Sequence, residues 1–150
     1  MINPKQQECN YPFDGLAGCG VAFKVAQGLQ QKANLPKKII NEILDIVAIG
    51  TIGDIVPLID ENRSLVKYGL NMLNQRKRLS LTIFMNCLLL NKKQINSEQV
   101  AYIIAPHLNA AGRMKRADIG VELILSKDEK KIEKLANELI KCNQERKSIQ

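Results

Sequence analysis

The chain lacks tryptophan altogether, and only three tyrosines and three phenylalanines occur among its 150 residues. A core must therefore be built mainly from Ile, Leu, Val and Ala. Tyr11, Phe13, Phe23, Tyr68, Phe84 and Tyr102 are too dispersed for a base-stacking platform and are expected to pack in and under the surface. There is a single histidine, His107. Cys9, Cys19, Cys87 and Cys142 form no CxxC pair, so zinc has no support and the four read as free thiols of a reducing compartment. No apolar run reaches the ~18 residues that a membrane span needs. The polar, proline-bearing first residues do not resemble a signal peptide. The expected location is the cytoplasm.

What is present is a 45% apolar content, enough for one domain with a real core, and a net charge of +7. The charge is uneven. Between positions 60 and 96, Arg63, Lys67, Arg76, Lys77, Arg78, Lys92 and Lys93 face only Asp60 and Glu61, a local net of +5. Such a patch attracts polyanions, but charge alone favours a solvated helix face.

The pattern is mostly helical. Val21, Val25 and Leu29 recur every four residues after Gly18 and Gly20, and Asn34 to Pro36 ends that run. Ile39, Ile40, Ile43, Leu44 and Val47 predict one helix reaching Gly50 and Gly53, which puts Asp54 in the turn beyond it. Asn62 or Asp60 opens the next, with Leu65, Val66, Gly69, Leu70 and Leu73 inside. Leu79 to Leu90 reads as a short apolar helix, although Thr82 and Ile83 leave a strand open. Asn96 to Gln99 resembles a capping box for a helix through Ile104. Pro106 is expected to stop that helix and start a loop carrying Asn109 and Arg113. Ala117 to Leu125 is helical, and Ser126 to Glu129 resembles a capping box for a long final helix striped by Ile132, Leu135, Ala136, Leu139 and Ile140.

Two stretches carry chemistry: Gly50-Thr51-Ile52-Gly53-Asp54-Ile55-Val56-Pro57-Leu58 and Pro106-His107-Leu108-Asn109-Ala110-Ala111-Gly112-Arg113. A carboxylate can hold a divalent metal, and a planar guanidinium can clamp two phosphate oxygens. Taken alone, Asp54 after a glycine is a turn residue or cap. Asn109 suits a phosphate, an Arg113 contact or a cap. His107 reads equally as a phosphate contact or an exposed histidine without a role. Lys115 and Arg116 read as solvated.

These stretches, with Asn3-Pro4-Lys5-Gln6, Tyr11-Pro12-Phe13, Leu16 to Lys24, Asp45 to Thr51, Glu61-Asn62-Arg63 and Asn143-Gln144-Glu145-Arg146, resemble the late motifs of the RecJ family of the DHH phosphoesterase superfamily. The resemblance runs nearly end to end. It departs from the family in having no Asp-His-His signature, so the chain resembles an internal segment that begins just past that signature and ends near the second, nucleic-acid-binding domain. The implied fold is mainly α, the C-terminal portion of an α/β phosphoesterase domain over residues 1–125, followed by the interdomain connector helix over 126–150.

The implied activity is metal-dependent 5′-to-3′ hydrolysis of single-stranded DNA in repair and recombination, with Mn2+ or Mg2+ as cofactor. Asp54 would be the last carboxylate of a two-metal site, and Asn109, Arg113 and His107 would contact phosphate. With most ligands missing, the chain is expected to bind metal weakly and not to catalyse alone. Missing parts of the same enzyme are possible partners. The rival reading is a non-catalytic nucleic-acid-binding or partner-docking module. A DHH phosphoesterase acting on short oligonucleotides fits the two motifs less well.

Overall fold

The computed structural model describes residues 2–91, 94–113 and 118–149, with backbone alone for Ala111, Arg113 and Ile149. Every regular element among them is helical, as expected, and no strand occurs among the described residues. The chain divides into two compact units, Met1–Met72 and Leu73–Gln150.

In the first unit, α1 (Gly18–Lys32) is followed by α2 (Lys37–Asn41), α3 (Leu44–Gly53) and the start of α4 (Asp60–Asn74). Leu16, Phe23, Val47 and Leu65 form its core, with Tyr11, Phe13, Ile40, Ile43 and Leu44 packed around them. Full burial of each such side chain is worth about 1.5–3 kcal/mol. α1 stops as its sequence predicts. Asn34 takes a left-handed φ of 53°, and the Leu35 and Asn34 amides return to the Gln30 and Gln31 carbonyls, a Schellman ending.

The single helix expected through Ile39 to Val47 is two helices. Ile43 leaves helical geometry at φ −102° and ψ 3°, and α3 begins anew behind it. Asp45, buried in the first turn, accepts the Ile46 amide at 2.8 Å. That amide also reaches the Ile43 carbonyl at 3.1 Å, and an acidic residue in the first turn suits a helix start better than a helix middle.

α3 and α4 meet at Gly69. A Cβ there would run into the Leu44 carbonyl oxygen and the Ala48 methyl, so only glycine permits this approach. Of the two proposed caps of α4, Asp60 is its first helical residue. Asn62 is wholly buried and ties two loops instead.

The second unit holds α5 (Leu79–Cys87), α6 (Ser97–Gln99), a π-helical stretch (Val100–Ile104), α7 (Ala105–Arg113), α8 (Asp118–Leu125) and α9 (Glu129–Ile149). α9 packs on α5, α7 and α8. Ile132, Ala136 and Leu139 on α9 are fully buried, as are Phe84 on α5 and Leu123 on α8. The Asn96 capping box is present in both directions: Asn96 Oδ1 accepts the Gln99 amide at 3.0 Å, and Gln99 Oε1 accepts the Asn96 amide at 2.9 Å.

The α9 cap lies two residues later than expected. Helix geometry starts at Glu129, so the position whose side chain reaches the third helical amide is Asp128, which accepts from Lys131 at 3.1 Å. Ser126 Oγ accepts the Asp128 amide at 3.3 Å and shapes the approach. Two aromatics also depart from expectation. Tyr68 and Tyr102 are 62% and 78% exposed, on outer helix surfaces.

Candidate functional site

Asp54 is the C-cap of α3, as the sequence predicts. Its amide closes on the Gly50 carbonyl at 3.0 Å, and its side chain is exposed. Buried Val47, Ala48, Ile49, Thr51 and Ile52 fix the helix beneath it. Thr51 Oγ1 lies 3.5 Å from Cys19 Sγ on α1, which also donates to the Val47 carbonyl at 3.5 Å.

The chain turns sharply after Asp54. Ile55 adopts φ 57° and is 89% exposed. A β-branched side chain rarely accepts that backbone, since its Cβ crowds the carbonyl. Asn62 holds the far side of this turn. Its Nδ2 donates to the Pro57 carbonyl at 3.0 Å and to the Gly15 carbonyl at 2.8 Å, while its Oδ1 is buried with no partner. Sequence reasoning read Asn62 as a possible opener of α4. The available signal was an amide on the otherwise apolar inner face of α4.

A second polar assembly in this unit was not anticipated. Glu61 accepts from Lys24 Nζ and from the Tyr11 hydroxyl, each at 2.6 Å. Burial of Glu61 opposes its charge, but the bonds from Lys24 and Tyr11 outweigh that and hold the carboxyl below its usual range. The Glu61 bond raises Lys24, and burial followed by the same carboxylate raises the Tyr11 phenol.

The second motif lies in the other unit and is not the expected loop. Pro106 sits inside a continuous helical run. It has no amide for the Tyr102 carbonyl, and its ring crowds that group. The preceding turn widens to accommodate it: the Ala105 amide bonds Val100, five residues back, in the π-helical stretch. α7 then carries Asn109, exposed, with Ala110 buried beside it. The helical backbone sets positions 109 and 113 one turn apart. Lys115 and Arg116 lie outside the described residues.

His107 is half-buried, and its Nδ1 is 2.6 Å from the Ile103 carbonyl. A carbonyl only accepts, so Nδ1 carries the proton and Nε2 is left as the acceptor of the neutral ring. Burial lowers its pKa first, and the charges of Lys147 and Arg146 lower it further against the opposing Ile103 bond.

One exposed carboxylate does not make a metal centre. Hard cations take about six oxygen ligands, and among the described residues no three His, Cys, Asp or Glu side chains come together. No described helix is long and apolar enough to cross a membrane.

No family model matches the chain. It is 43% identical over 149 residues to the single-stranded-DNA-specific exonuclease RecJ of Bacillus subtilis, covering 99% of this chain and 18% of that protein. The chain belongs to the RecJ family. RecJ of Escherichia coli is 34% identical over 160 residues, covering 100% of this chain and 28% of that protein. The fold agrees. Crystal structures of Thermus thermophilus RecJ in complex with Mn2+ and with Mg2+ superpose with TM-scores of 0.82 and 0.79 at 31% identity. They cover 93% and 97% of this chain, and 20% and 22% of the RecJ chains. The chain thus spans less than a third of the length of the RecJ proteins it matches.

Proposed function

We propose that this chain is the part of a RecJ-type, metal-dependent 5′-to-3′ single-stranded-DNA exonuclease that contacts strand phosphates and contributes one metal ligand. The observation that carries this reading is the match to RecJ over the whole chain, with both chemical motifs inside it. Residues 1–125 are the C-terminal portion of the phosphoesterase domain, and residues 126–150 form the connector helix. Asn109, Arg113 and His107 serve the phosphates. Asp54 supplies one carboxylate toward Mn2+ or Mg2+, which provides hydroxide and charge stabilisation when bound. Further donors must come from outside these residues, and the purified chain binds DNA without cleaving it. The setting is cytoplasmic repair and recombination.

The test is manganese-dependent degradation of 5′-labelled single-stranded DNA by the purified chain, beside Asp54→Ala and Arg113→Ala. No turnover is expected. Oligothymidylate binding should weaken about tenfold in Arg113→Ala, as for loss of a charged hydrogen bond, with a salt slope smaller by about one. Turnover that both variants abolish would refute the dependence on further donors. Binding unchanged in Arg113→Ala would remove the phosphate role.

A further inference from the structure

α4 buries Leu65, Val66 and Leu73 on its inner side and turns Asp60, Arg63, Ser64, Lys67, Tyr68 and Asn71 to solvent. That outer face is basic. Its one acid is Asp60, at the first helical position, because Glu61 is engaged by Lys24 and Tyr11. Arg63 and Lys67 stand one turn apart, where like charges repel and weaken a helix. No ion pair to either occurs among the described residues, although exposed Lys131 and Lys141 take Glu122 and Glu145 as partners. An ordinary solvated helix face interleaves the two signs. This one does not.

The same face carries an aromatic ring. Tyr68, next to Lys67, is 62% exposed. Its solvent-side neighbours one turn away, Ser64 and Asn71, are uncharged and leave the ring open. Two cations and an open ring on one face are what a single strand uses: charge for its phosphates and a flat apolar surface for a base.

We propose that the outer face of α4 is a docking surface for single-stranded nucleic acid, with Arg63 and Lys67 on phosphates and Tyr68 stacked on a base. Charge selects a polyanion as occupant, in a chain whose net charge is +7. The ring selects a single strand, since the bases of a duplex are already stacked on one another. The inference deepens the function proposed above and rests on it for the strand being DNA, but it uses none of the residues assigned there.

The test measures binding of labelled oligothymidylate to the purified chain by fluorescence anisotropy across a salt series. Arg63→Gln and Lys67→Gln should each weaken binding about tenfold and reduce the salt slope by about 0.7. Lys67→Gln relieves a like-charge pair and should melt no lower than the parent, which separates lost binding from lost fold. Tyr68→Leu should weaken binding about tenfold, whereas Tyr68→Phe should not. An abasic strand of the same length should bind the parent and Tyr68→Leu alike. Unchanged affinity and slope in both charge variants would overturn the surface. A Tyr68→Leu loss that persists on the abasic strand, or no loss at all, would overturn the stacking. Equal binding of a duplex would overturn the single strand as occupant. Binding that needs Arg113 but none of Arg63, Lys67 and Tyr68 sinks this inference and leaves the proposed function standing. The reverse dependence keeps this surface and removes the phosphate role of Arg113.

Discussion

α4 meets the first half of α3 at Gly69, and this close approach makes Gly69 respond to alanine oppositely to Gly28, another glycine of the first unit. In Gly69→Ala the new methyl meets the Leu44 carbonyl and the Ala48 methyl, with the Leu44 carbonyl carbon at 3.0 Å. A backbone carbonyl cannot rotate away, so the helices must part. Overpacking of this kind costs about 1–3 kcal/mol. Alanine returns about 0.5–1 kcal/mol of helix propensity. The net loss is about 1–2 kcal/mol, a fall in Tm of roughly 3–6 °C for a chain of this size. Gly28, exposed within α1, has nothing within 4 Å of its Cβ position, so Gly28→Ala should gain the propensity alone. Adding Ala48→Gly to Gly69→Ala should restore part of the loss, since one of the two obstacles remains. The assay is urea and thermal unfolding by circular dichroism on all four proteins. A Gly69→Ala chain as stable as the parent, or both single variants shifting alike, would refute the close approach.

Other expectations rest on polar groups and backbone strain. Asn62→Ala strips the Pro57 and Gly15 carbonyls of their donor and should cost about 1–3 kcal/mol, read from the urea midpoint. The partly exposed Lys24–Glu61 pair should show a coupling of about 0.2–1 kcal/mol in a double-mutant cycle at pH 7. The Glu61 pKa is depressed, so its contribution is full above the unfolded carboxyl value near ~4.3 and fades as pH falls through the lower folded value. Lys24 is raised, so its share is full below its unfolded value near ~10.4 and is lost as pH rises beyond that. A cycle with the same coupling at pH 3 would contradict the assignment. Ile55→Gly should stabilise the chain by about 1 kcal/mol, since glycine takes φ 57° without a Cβ clash. A destabilised Ile55→Gly would mean that the isoleucine makes a contact its 89% exposure denies.

Much of the fold was legible because short-range rules were obeyed. Asn34 before Leu35-Pro36, the Asn96–Gln99 box and the α9 stripe each announce an element that is present. What sequence alone missed are places where tertiary contact outweighs local preference. The apolar period across Ile39 to Val47 is continuous, yet the helix breaks at Ile43, next to an aspartate buried at the start of α3. Pro106 normally signals an end, but a widened turn carries the helix past it, and proline chemistry alone does not choose between those outcomes. For the candidate site, the C-cap position of Asp54 was readable from Gly53. The helical setting of Asn109 was not.

Local rules also fail where the two chemical motifs lie. Ile55 takes a left-handed backbone directly after Asp54, and the π-helical stretch directly precedes the helix of Asn109. Strain alone does not identify a site, because Leu89 and Arg76 take the same backbone at φ 60° and 52° at helix ends without a motif beside them. Leu89 follows α5 with the Leu90 amide returned to Met85, so its strain closes an ordinary Schellman ending. Ile55 differs in what its turn delivers. Asn62, buried at an inner position of α4, spends both bonds of its amide nitrogen on loop carbonyls and leaves its oxygen unpaired. An apolar residue there would avoid the orphaned oxygen but would release Pro57. The turn after Asp54 is thus imposed against local preference from both ends, which is how a fold holds one carboxylate at a defined place on its surface.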